Sequence, residues 1–237
     1  MHTAIQMKSK LLVLALSLAV ISPAWAADGK APYPNMAPIE QYRSASQADE
    51  IALARSAAPA SISGKAEILT LGAHGYETAV KGTNGFVCLV SRSWDDDFDD
   101  PEFWNPKMRG PMCLNPAAVR TILPSYLKRT EWVLSGVPIA EMLQRTKAAI
   151  IAKEITAPEG GAMCYMMSKG GYLGDDAGGH WHPHVMFYLP PTDAAQLGAR
   201  LPGSPIAAAS SDLEPVTIFM VVVPKWSDGT PAEYSAH

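Results

Sequence analysis

Val216-Thr217-Ile218-Phe219-Met220-Val221-Val222-Val223 decides the fold class. The run is β-branched and aromatic, and apolar residues fall at both odd and even positions. Side chains two apart share a face of an extended chain, so the pattern predicts an interior strand covered on both sides. Two further strand-like runs precede it, residues 162–168 and 182–189. Three more stand far upstream, at 66–71, 76–80 and 86–90. The upstream set reads as an antiparallel meander, with Asn84-Gly85 as the tight turn between its second and third members.

Helical signals fall between the two strand groups. Ser46 is an N-cap before Asp49 and Glu50, which favour the positive end of the helix dipole, and Pro59 stops that helix. Asn115-Pro116 is a second start, interrupted at Pro124. Residues 126–134 are compatible with either helix or strand. A helix over 138–153 places Ile139, Met142, Leu143, Thr146 and Ile150 on one face. Residues 193–201 read as a short helix. This order lacks regular βα alternation and predicts an α+β fold, a mostly antiparallel sheet with helices packed against it, as a single domain over 44–237.

The N-terminus sets the compartment. Lys8 and Lys10 precede an apolar run from Leu11 to Ile21, and Ser22-Pro23-Ala24-Trp25-Ala26 ends in a small-x-small pattern. That is an export signal over residues 1–26, too short to span a bilayer, followed by an extended Pro-rich leader over 27–43. No other stretch is long and apolar enough to cross a membrane, so the expected location is periplasmic or secreted. The formal charge of −4 becomes −6 once Lys8 and Lys10 leave. An acidic chain without basic clusters argues against nucleic acid as a partner. A small molecule or another protein is left as the partner class.

Export makes cysteine pairing favourable. Cys88 and Cys113 flank a loop rich in Asp and Pro and are the expected disulfide. Cys164, inside Met163-Cys164-Tyr165-Met166-Met167, is expected to be a buried thiol.

The segments Glu50 to Pro59, Lys81-Gly82-Thr83-Asn84-Gly85-Phe86-Val87-Cys88 and Pro111-Met112-Cys113 resemble a family of exported bacterial proteins of unassigned function. In that pattern a helix ending in Ala-Ala-Pro is followed by Gly-Thr-Asn-Gly-aromatic-x-Cys and Pro-Met-Cys. Pro183-His184-Val185-Met186 is weakly similar as well. The resemblance implies an exported single domain and carries no activity.

The chemistry-bearing stretch is His180-Trp181-His182-Pro183-His184, with three of the chain's six histidines at alternate positions. On a strand these would line one surface, continued by Met186 and Tyr188, while Val185, Phe187 and Leu189 enter the core. Imidazoles so arranged suit zinc, copper or non-haem iron, with His74 in a Gly-bracketed turn as an additional ligand. The bland alternative is a strand entrance. A soft-metal set of Met163, Cys164, Met166 and Met167 with these histidines would suit Cu(I), against a core role for the same methionines. The acidic run Asp95, Asp97, Asp99 lacks the Gly and Glu that a calcium loop needs at its sixth and twelfth positions, and reads as a solvated loop. Two classes follow: a non-catalytic binding or interaction protein, or a metal-dependent enzyme using His180, His182 and His184, the ion polarising a substrate oxygen or activating water.

Overall fold

In the computed structural model the described residues are 32–175, 181–199 and 201–233. The expected export signal therefore lies outside them, as do the start of the expected leader and His180. Eight strands form one sheet: β1 (Glu67–Leu71), β2 (Tyr76–Val80), β3 (Val87–Ser91), β4 (Gly110–Leu114), β5 (Met163–Met166), β6 (His184–Leu189), β7 (Ile206–Ser210) and β8 (Thr217–Val222). Their spatial order is β2-β1-β3-β4-β5-β6-β8-β7. Every neighbouring pair is antiparallel except β1 with β3. The helices are α1 (Gln47–Arg55), α2 (Ala60–Ser63), α3 (Pro116–Thr121), α4 (Leu123–Leu134) and α5 (Ile139–Ile151). The class is α+β, as the order of elements implied.

Local chemistry accounts for the helix starts. Ser46 Oγ accepts the Asp49 N–H at 3.1 Å, and Asn115 Oδ1 accepts the Ala118 N–H at 3.0 Å with Pro116 in the first turn. Residues 126–134 are helical, because α4 buries Leu123, Thr130 and Val133 along one side. The Pro-rich leader ends in a 3-10 turn, Ile39–Tyr42, whose Tyr42 is fully buried and donates to the Trp104 carbonyl at 2.8 Å.

Two expectations are corrected. The upstream strands are not a meander: β3 leaves β2 and lies parallel to β1 on its other side, so Asn84-Gly85 closes no hairpin. Asn84 instead donates from Nδ2 to the Ile62 carbonyl at 2.8 Å, and Gly85 supplies a φ of +76° in the approach to β3. The second correction concerns β8. It is interior, between β6 and β7, but only one face is well covered, and Val222 is 38% exposed. β3 and β4 are buried on both faces along their whole length, and β1 from Ile68 to Leu71. Ala54, Ala57 and Ala58 of α1 and its C-terminal end cover Cys88, Val90 and Cys113 on one side, while Ala118, Ile122 and Leu123 cover Leu89 and Met112 on the other. Small alanines let α1 lie close to the sheet. Cys88 and Cys113 face each other across β3 and β4, their Sγ atoms 2.03 Å apart. Cys164 is a buried thiol.

Candidate functional site

Past β4 the sheet keeps its α3–α4 face but loses continuous contact with the helices. A cavity of about 290 Å3 opens there, between β4, β5, β6 and β8 on one side and α3 and α4 on the other. The strand period builds its floor. Met112, Met166, Met186 and Met220 alternate with residues of the opposite face, and Ile218 and Val216 extend the apolar surface. Ile122 and Tyr126 close it from the helix side.

The histidine stretch contributes differently from its sequence reading. His184, Met186 and Tyr188 do share a face, but it is the inner one, with relative exposures of 7%, 8% and 1%. Phe187 is 40% exposed on the outer face. The orientation is inverted because α3 and α4 cover the His184 side, while among the described residues no helix packs over Phe187. His182 lies before the strand and is exposed, and its carbonyl accepts from His184 Nδ1 at 2.8 Å. His180 lies outside the described residues, so the triad itself has no described geometry. His74 sits in the β1–β2 turn, four strands from β6, roughly 19 Å at ordinary strand spacing. Among the described residues no three His, Cys, Asp or Glu side chains are grouped to hold a metal. Of the soft set, Met166 and His184 face each other across β5 and β6 and both line the cavity, whereas Met163 and Met167 do not. Cys164 accepts the Tyr188 hydroxyl at 3.2 Å, and burial pushes its thiol up to about 12, which disfavours the thiolate.

The rim is polar. Asp95, Asp96 and Asp97 come from the acidic run, Ser211 and Glu214 from the segment before β8, and Arg129 from α4. Arg129 holds these pieces together. Its guanidinium bonds Glu214 Oε1 at 2.5 Å, donates to the Asp96 and Trp94 carbonyls at 2.5 and 3.3 Å, and lies 4.3 Å from the Phe98 ring centre. The acidic run is thus not simply a solvated loop. Trp94 is fully buried and donates to Thr130 Oγ1 at 3.0 Å, and Glu102 turns inward to accept from Asn105 and the Asp175 N–H. Asp95 accepts the Arg92 N–H at 3.0 Å through Oδ2, while its Oδ1 is sealed from solvent with no partner among the described residues. Burial raises the Asp95 carboxyl to about 7, opposed by the Arg92 N–H and the charges of Arg129 and Arg92. Burial and the neighbouring Asp100 and Asp95 raise Asp96 likewise. Asp96 is open to solvent at the rim although protein crowds it, so the weight here rests on Asp95.

Sequence reasoning missed Arg129 and Glu214. They are 85 positions apart, and neither sits in a recognisable motif. The aromatic residues interleaved with the acidic run were the available signal that part of it turns inward. Compared with family models, curated proteins and solved structures, the chain matches none.

Proposed function

We propose that this chain is an exported, non-catalytic binding domain that takes a small, largely apolar molecule into the cavity under β4, β5, β6 and β8. The observation that supports it is the cavity: about 290 Å3, apolar in its body, with charged groups confined to one rim. Binding sites for small molecules combine an apolar body with a few polar groups that fix orientation. The carboxylates Asp95, Asp96, Asp97 and Glu214 outnumber Arg92 and Arg129 around it, which disfavours anionic ligands. Export rests on the signal read over residues 1–26, on the family resemblance and on the Cys88–Cys113 pair.

The test is titration with the neutral apolar fluorophore N-phenyl-1-naphthylamine. We expect saturable enhancement at one site per chain, abolished in Ile218→Trp, whose indole would occupy the cavity, with the circular dichroism unchanged. Absence of saturable binding to the wild type, or equal binding to a folded Ile218→Trp, would overturn the proposal.

A further inference from the structure

We infer that Met112, Met166, Met186 and His184 form a Cu(I) site in the floor of this cavity. The strand registers bring them together. Met166 lies directly opposite His184 in the β5–β6 pair. The β4–β5 register sets Cys113 opposite Tyr165 and Leu114 opposite Cys164, and one further step puts Met112 beside Met166. Met186 is two residues from His184 on the same face. Side chains directly opposite in such pairs have Cβ atoms about 5 Å apart. The unbranched methionine side chain can then swing its sulfur toward a neighbouring ring. All four line the cavity, and all are at most 8% exposed.

The imidazole is oriented for the task. A carbonyl only accepts, so the 2.8 Å contact to His182 O means that Nδ1 carries the proton. Nε2 is left with a lone pair that can serve as a ligand. Metal-bound histidines are held in this way, the second ring nitrogen donating to a backbone carbonyl. Trp181 fixes the ring from the side. Its indole stands edge-on to His184 with centroids 5.5 Å apart, and its Nε1 donates to the Ser168 carbonyl at 2.6 Å.

The donor set selects the ion. Thioether sulfur with imidazole nitrogen suits Cu(I), whereas calcium and magnesium need oxygen and structural zinc takes thiolate. Three thioethers gathered around one imidazole on a cavity wall distinguish this wall from a purely hydrocarbon lining. The rim carboxylates attract a cation along the entry path without ligating it. The site goes beyond the proposed organic ligand and stands whether or not that molecule binds.

The test is oxygen-free titration of the full chain with Cu(I) against the chromophoric chelator bicinchoninate. We expect one Cu(I) retained per chain and not displaced by excess zinc. The volume-conserving double variant Met112→Leu/Met166→Leu should keep its fold and lose affinity roughly tenfold or more. Cys164→Ala should bind as the wild type does. No retained Cu(I), wild-type affinity in the double leucine variant, or loss of binding in Cys164→Ala alone would each overturn the assignment.

Discussion

Arg92 carries no apolar signal and sits at the end of β3, yet it is fully buried and organises one side of the molecule. Its Nε donates to the Tyr42 carbonyl at 2.7 Å, Nη1 to the Val90 carbonyl, and Nη2 to Glu50 Oε1 at 2.9 Å. Glu50 Oε1 also accepts the Leu71 N–H at 3.0 Å, so a helix-start acid doubles as the partner of a buried cation. That second role was invisible in the sequence, because helix-start chemistry alone already explains a Glu at that position. Arg92→Met leaves the Glu50 carboxylate buried and unpaired, and should cost about 3–5 kcal/mol in urea unfolding. Adding Glu50→Gln should recover part of that loss. A second residue-scale effect comes from Asp95. Its folded pKa of about 7 lies above the ordinary carboxylate value. Between about pH 4 and 7 the folded protein therefore holds a proton that the unfolded chain has released. Stability falls as pH rises through that window, by up to ~1.4 kcal/mol per unit, and levels off above it. Asp95→Asn retains an oxygen to accept the Arg92 N–H and cannot ionise. Its melting temperature should exceed the wild type's at pH 8 and converge with it only near pH 4, at the unfolded carboxyl's pKa. A gap that is the same at both pH values would contradict this assignment.

At the scale of elements, what a strand or helix is made of was legible and what covers it was not. Caps at Ser46 and Asn115, the helix over 139–151 and the strands around 66–71, 76–80, 86–90, 182–189 and 216–223 follow from short-range chemistry. β6 shows the limit. Its period of two separates His184, Met186 and Tyr188 from Val185, Phe187 and Leu189, but periodicity alone does not say which set faces the helices. Both sets are largely apolar, so polarity did not break the tie. β7 escaped notice because Ile206-Ala207-Ala208-Ala209-Ser210 is rich in alanine, a poor strand former. β8 misled in the opposite direction, since eight β-prone residues were read as covered twice. The structure separates its positions. Phe219 is 4% exposed and packs with Ala199 and Ala208, whereas Val222 is 38% exposed. Phe219→Ala should cost about 3–5 kcal/mol, and Val222→Asp should cost less than about 1 kcal/mol, both read from denaturant midpoints. Equal losses from the two would mean that β8 is enclosed on both faces after all.

At the scale of the whole molecule, strand order decides where a cavity can exist. β1, β3 and β4 are sandwiched between α1 on one face and α3 and α4 on the other, and the Cys88–Cys113 pair ties β3 to β4 at their centre. Beyond β4 the sheet and its helices draw apart, and the gap between α3–α4 and the floor of β5, β6 and β8 becomes the cavity. That order could not be read locally. The parallel β1–β3 pairing and the insertion of β8 between β6 and β7 depend on contacts among distant segments. The histidine stretch did point to the right strand, although for its inner face. The central claim, that this cavity receives a ligand, is tested most directly by NMR of the protein carrying 13C-methyl methionine, titrated with N-phenyl-1-naphthylamine. Met108, Met112, Met166, Met186 and Met220 line the cavity, whereas Met36, Met142, Met163 and Met167 do not. We expect the first five methyl resonances to shift together, saturating at one equivalent, while the other four stay in place. Shifts confined to the second group, or none in either, would contradict it.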